Sequence, residues 1–146
     1  VSDPSYESGG AYSQITRDVR VTVQPFYTVQ PFYLEDQSSP DDRHFVWAYH
    51  VRIENHGDET VQLLTRHWQI TDSTGNMQEV RGDGVVGEQP VLKPGESFEY
   101  TSGTPLPTPS GFMMGAYQIV SEAGAAFDVV IPAFSLDSPH ARTQIH

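Results

Sequence analysis

His44-Phe45-Val46-Trp47-Ala48-Tyr49-His50-Val51-Arg52-Ile53-Glu54 decides the fold of this chain. Phe45, Trp47, Tyr49, Val51 and Ile53 fall on one face of an extended segment, and Val46, Ala48, His50 and Arg52 on the other. A period of two with large apolar residues in phase is the pattern of a strand that buries one side. Asn55-His56-Gly57-Asp58 follows and reads as a hairpin turn, because Asn and Gly tolerate positive φ. The return strand is expected over Thr60 to Asp72, with Leu64, Trp68 and Ile70 in phase. Leu63 and Leu64 are adjacent, so a bulge is expected there.

Working outward gives the same kind of element. Upstream, Asp18 to about Val29 alternates Val19, Val21 and Val23 with Arg20, Thr22 and Gln24. Gln24-Pro25-Phe26-Tyr27 then recurs as Gln30-Pro31-Phe32-Tyr33. Pro25 and Pro31 each remove a ladder donor, so this segment is expected at an edge or as a bulged extension. The acidic, Ser-rich stretch Leu34 to Arg43 reads as a loop. Downstream, Thr74-Gly75-Asn76 marks a turn and Met77 to Arg81 a short strand. Gly82 to Gly95 reads as a loop, Ser97 to Ser102 as a strand, and Thr104 to Pro109 as a Pro-rich crossing. Phe112 to Ser121 and Ala126 to Phe134 form a last hairpin across Glu122-Ala123-Gly124. No window of a dozen residues carries a helical apolar period. About seven strands at this spacing imply an all-β sandwich or barrel. Residues 1–13 are expected to be a flexible segment, 14–136 one domain, and 137–146 a polar tail. Trp47, Tyr49, Val51, Trp68, Ile70, Tyr117, Ile119, Val129 and Ile131 are the expected core. The Tyr117 hydroxyl is expected to bond nearby backbone, as in a tyrosine corner.

Composition excludes several classes. The 146 residues are 37% apolar and 18% charged, too apolar for a disordered chain and too polar for one embedded in a membrane. No apolar run approaches the roughly 20 residues of a spanning helix. Residues 1–13 have neither the basic nor the apolar region of a signal peptide. The formal net charge of −11 repels nucleic acid and anionic membranes, and the eight Lys and Arg are scattered with no two adjacent. Without Cys there are no disulfides, no thiolate catalysis and none of the common structural zinc sites. A cytoplasmic location is the simplest expectation.

The run Val61-Gln62-Leu63-Leu64-Thr65-Arg66-His67-Trp68 and the run Glu79-Val80-Arg81-Gly82-Asp83-Gly84-Val85-Val86-Gly87-Glu88-Gln89-Pro90 resemble the ApaG family. So do Tyr100-Thr101-Ser102-Gly103-Thr104-Pro105-Leu106 and Ile131-Pro132-Ala133-Phe134. The resemblance extends over roughly Gln14 to Ser138. The resemblance implies a two-sheet antiparallel β-sandwich of fibronectin type III or immunoglobulin-like type. It also implies partner binding, since relatives occur as a domain in F-box proteins and in a polymerase-interacting protein. The family's label links it to cobalt and magnesium efflux. One departure is the second Pro-aromatic segment, where the family pattern has one.

Gly82-x-Gly84-x-x-Gly87 has the spacing of a dinucleotide fingerprint, which needs a strand before it and a helix N-terminus after it. Pro90 and Pro94 oppose the helix, so a tight structural loop with positive φ at Gly82 or Gly84 is the expectation. The competing reading is an amide nest holding a phosphate or nucleotide, with Gly82, Gly84, Gly87, Arg81, Arg66 and His67 as its residues. His44, His50 and His56 are spaced too far apart along one strand to share an ion, and His67 is expected to face solvent. No nucleophile sits beside a base in any recognisable motif. Phe26, Tyr27, Phe32 and Tyr33 are the candidate partner contacts. The expected function is therefore a non-catalytic protein-binding module, without metal or cofactor, with homo-oligomer formation left open. The alternative is a small-ligand sensor at the Gly82–Gly87 loop. With no spanning segment, any part in cation efflux has to be indirect.

Overall fold

The computed structural model describes residues 12–25 and 38–139. In chain order its strands are β1 (Tyr12–Thr16), β2 (Val19–Pro25), β3 (Phe45–Asn55), β4 (Val61–Asp72), β5 (Met77–Asp83), β6 (Val91–Leu92), β7 (Ser97–Leu106), β8 (Ser110–Ser121) and β9 (Ala126–Asp137). They form two antiparallel sheets. The first has the order β1-β2-β3-β7, and the second β5-β4-β8-β9 with β6 also paired to β4. Apart from a short 3-10 turn over Pro40–Asp42, the described residues contain no helix.

The period-two pattern of β3 explains the packing. Trp47, Tyr49, Val51 and Ile53 turn inward beside Val19, Val21 and Val23 of β2. The second sheet answers with Leu63, Trp68, Ile70, Met113, Tyr117, Ile119, Val129, Ile131, Phe134 and Leu136. All nine residues expected in the core are buried. Where the sheets meet, Trp68 stands edge-on to Tyr49 at 5.4 Å between ring centroids and to Phe134 at 6.1 Å, the arrangement aromatic quadrupoles favour. Trp47 Nε1 donates to the Asp137 carbonyl at 2.6 Å, so the buried indole is satisfied. The bulge expected at Leu63-Leu64 is present as a register shift between Leu63 and Thr65.

Several expectations are corrected. Asn55 to Asp58 is not a hairpin, because β3 is already paired on both edges, to β2 and β7. The chain instead crosses to the other sheet. Buried Asn55 fastens that crossing: its Nδ2 donates to the carbonyls of Glu59 (2.8 Å) and Leu92 (2.9 Å), and its Oδ1 accepts from Gly57 N–H (3.0 Å). A strand precedes the expected first one. β1 turns into β2 through Arg17 (φ 48°) and Asp18 (φ 69°), a two-residue turn with both residues left-handed. β7 continues through Pro105, opposite Val46, which is permitted because β7 is an edge strand. β9 reaches Asp137, and Ser138 beyond it is buried with its hydroxyl on the Pro109 carbonyl at 2.7 Å. The Tyr117 hydroxyl bonds the Tyr100 hydroxyl rather than backbone.

Candidate functional site

The glycine loop is a tight structural turn. Val85 N–H donates to the Glu88 carbonyl at 2.8 Å and Glu88 N–H returns to Val85 at 2.9 Å. Between them Val86 (φ 42°) and Gly87 (φ 83°) are both left-handed, as a type I′ turn requires. Gly84 has φ 63°, and a Cβ there would overlap the Glu88 carbonyl oxygen. Gly82 has no positive φ. The guanidinium of its cross-strand partner Arg66 lies against it instead, with both Nη atoms 2.8 Å from where a Cβ would stand.

Strand alternation divides the candidate ligand residues between two faces. Arg66 is in phase with Trp68 and points to the inner side of its sheet, over the glycine loop. Its Nη1 donates to the carbonyls of Asp83 (2.9 Å) and Gly84 (2.8 Å). His67 and Arg81 are cross-strand partners on the outer side. There His67 Nε2 meets Glu79 Oε1 at 3.0 Å and Arg81 Nη2 meets the same oxygen at 3.3 Å. The hydrogen bond from His67, then the charges of His67 and Arg81, hold the Glu79 carboxyl below its ordinary range. Arg66, Gly82, Gly84 and Gly87 therefore come together, while His67 and Arg81 do not join them. No helix follows the loop, so the dinucleotide fingerprint is incomplete.

Under the loop a cavity of about 300 Å³ opens between the sheets. Tyr49, Tyr100 and Ser102 line it from the first sheet, Arg66 and Trp68 from the second, and Asp83 with Val85–Gly87 form the lip. Burial raises the pKa of Tyr49, Tyr100 and Tyr117, against a smaller lowering by Arg66. All three phenols are protonated donors at neutral pH. Sequence periodicity carried a signal for this arrangement, since position 66 falls on the Leu64–Trp68–Ile70 phase.

A second concavity of about 400 Å³ lies on the outer face of the β5-β4-β8-β9 sheet. Its floor is the small pair Gly115-Ala116, and Met114, Val130 and Ala133 form apolar walls beside His67 and Gln69. Phe112 on the same sheet is 40% exposed and Val130 38%. Gly115 is required here by crowding, because a Cβ would overlap the His67 carbonyl.

The remaining candidates are dispersed. His50 bonds Glu99 (2.8 Å) and Thr101 (3.0 Å), and His56 stands 3.7 Å from Glu54. Among the described residues no three His, Asp or Glu side chains group as metal ligands. Phe26, Tyr27, Phe32 and Tyr33 lie outside the described residues. β2 ends at Pro25, paired with Tyr49.

Comparison with known proteins gives a consistent result. Residues 35–121 match the family model described as the ApaG domain. The chain is 68% identical to Protein ApaG of Rhodospirillum centenum over 133 residues, covering 91% of this chain and 98% of that protein. It is 65% identical to Protein ApaG of Paramagnetospirillum magneticum over 135 residues, covering 92% and 99%. Among solved structures it resembles the putative ApaA protein from Bordetella pertussis, with a TM-score of 0.77 at 51% identity, over 84% of this chain and 94% of that one.

Proposed function

The chain belongs to the ApaG family, and from that premise we propose that it is a non-catalytic protein-binding module that docks through the outer face of its β5-β4-β8-β9 sheet. The observation that carries this reading is the apolar concavity on that face. Outward positions of a solvated sheet are ordinarily polar, yet here Phe112, Met114, Ala116, Val130 and Ala133 gather on one side. Apolar patches of this kind, rimmed by polar residues such as His67, Gln69 and Gln14, are where partners dock. The net charge of −11 favours a partner with a basic rim. We read the strand order, with β3 and β4 on opposite sheets, as fibronectin type III-like.

Two features favour binding over catalysis. A nucleophile needs a base within reach, and among the described residues no imidazole or carboxylate hydrogen-bonds Ser102. Ser102 instead stands across from Tyr49 on the neighbouring strand, and the Tyr100 hydroxyl pairs with that of Tyr117. On this reading any part in cobalt or magnesium resistance is indirect and runs through the partner. No helix among the described residues is long and apolar enough to cross a membrane. We place the protein, with its partner, in the cytoplasm.

The test is a comparison of opposite faces. Met114→Glu and Ala133→Arg should abolish recovery of a partner that co-purifies with the wild type, at unchanged melting temperature. Thr101→Arg, on the outer face of the first sheet, should leave recovery intact. Equal recovery by all three variants would reject this face as the interface.

A further inference from the structure

We infer that the cleft between the sheets under the Gly82–Glu88 hairpin is a binding site for a small oxyanion, a carboxylate or phosphate, gripped by Arg66. This site is separate from the proposed partner face and does not depend on it.

The first observation is the direction of Arg66. Arg66 is half-buried and points to the inner side of its strand, where a charge ordinarily takes a partner. Among the described residues it has no carboxylate partner, and only Nη1 is bonded, to two backbone carbonyls. That leaves the Nε–H and Nη2–H edge free. This edge is the fork that matches two oxygens of a carboxylate or phosphate in parallel hydrogen bonds. Gly82 beneath and the Asp83 and Gly84 carbonyls beside it hold the guanidinium plane in one orientation.

The second observation is what surrounds it. The Tyr49, Tyr100 and Ser102 hydroxyls line the cleft from the opposite sheet, and Tyr100 bonds the hydroxyl of Tyr117, the cross-strand neighbour of Arg66. Two hydroxyls bonded to each other use one proton between them and leave the other to donate. The wall facing Arg66 is thus rich in donors, and among the described residues that line the cleft the one carboxylate, Asp83, sits at the exposed lip. The cavity of about 300 Å³ suits a small ligand.

The third observation is strain at the entrance. Val86 lines the same cleft at φ 42° while 55% exposed. A β-branched residue at positive φ is an outlier that packing normally has to compensate. Here the exposed side chain receives no such compensation from the core. Val86 thus stands at the mouth of the cleft, in the type I′ turn that closes over it.

The site differs from the amide nest that the glycine spacing suggests. The amides of Gly84, Val85 and Glu88 are bonded within the protein, so the anion would be held by side chains from both sheets.

The experiment is an amide and Arg Nε–H NMR titration of the full chain at constant ionic strength. Inorganic phosphate is one probe and benzoate the other. The expected result is saturable shifts at Arg66 Nε–H and at the amides of residues 82–88, 100 and 102. Saturation by phosphate assigns a phosphate-type ligand, and saturation by benzoate a carboxylate. Ser102→Asp puts a carboxylate opposite Arg66 and should weaken the bound probe at least about tenfold. Tyr49→Phe, which removes one hydroxyl and keeps the ring, should weaken it about fivefold. The inference is overturned if neither probe saturates by about 50 mM. It is also overturned if shifts centre on Arg20, Arg52 or Arg81, or if both variants bind as the wild type does.

Discussion

Gly84→Ala and Gly87→Ala form a pair whose difference can be worked from the geometry. Both glycines are left-handed, with φ of 63° and 83°, so each substitution costs about 1 kcal/mol in backbone strain. Reduced freedom of the unfolded chain does not offset this, because the native conformation is incompatible with alanine. At Gly87 nothing lies within 4 Å of the added Cβ, and the cost stops there. At Gly84 the Cβ would overlap the Glu88 carbonyl oxygen. The Val85–Glu88 turn has to open, giving up two backbone hydrogen bonds of 2.8 and 2.9 Å, each of about 1 kcal/mol. Gly84→Ala is therefore expected to lose about 3 kcal/mol and Gly87→Ala about 1 kcal/mol. Urea unfolding followed by tryptophan fluorescence reads both, since Trp47 and Trp68 are buried. Equal losses, or a larger loss at Gly87, would refute the steric reasoning.

Three further outcomes are expected. Tyr100→Phe should cost about 1–3 kcal/mol by stranding the buried Tyr117 hydroxyl, whereas adding Tyr117→Phe should recover most of it; a double-mutant cycle in urea that shows simple additivity would contradict this. Val86→Asn places the residue a type I′ turn prefers and should stabilise the fold by about 1 kcal/mol, which thermal melting would contradict by a lowered midpoint. Asp72 accepts from the Thr74 hydroxyl and from the amides of Thr74 and Asn76, and these bonds, the Thr74 side chain foremost, hold its carboxyl below the ordinary range. Its contribution is thus complete above the unfolded pKa of about 3.9 and is lost as pH falls through the lower folded value. Asp72→Asn should flatten the acid limb of melting temperature against pH, and an unchanged limb would reject the assignment.

The sandwich was legible wherever burial is one-sided. The alternation in β3, the Leu63-Leu64 bulge and the final β8–β9 hairpin were all readable because large inward residues recur in phase and turn residues separate the runs. The departures have local causes. β1 is mostly exposed, with Ile15 on its outside, so it carries no alternation, and its Arg17-Asp18 turn lacks the glycine or asparagine that announces a type I′ hairpin. Asn55-His56-Gly57 is turn chemistry used to change sheets, and only the pairing of β3 on both edges reveals that. The Gly82–Gly87 spacing signalled a loop correctly. It could not show that Arg66 and His67, adjacent in sequence, serve opposite faces of one sheet. The outer concavity was hidden because its floor depends on Gly115 meeting the His67 carbonyl across strands.

Hydroxyl-radical footprinting of the chain, purified and in a lysate of its own cells, tests the docking face most directly. Phe112 and Met114 lie on that face, and His50 and His56 are on β3 and the crossing that follows it. Phe112 and Met114 should become protected in the lysate while His50 and His56 oxidise as before. Protection at His50 and His56 with Phe112 and Met114 unchanged would contradict it.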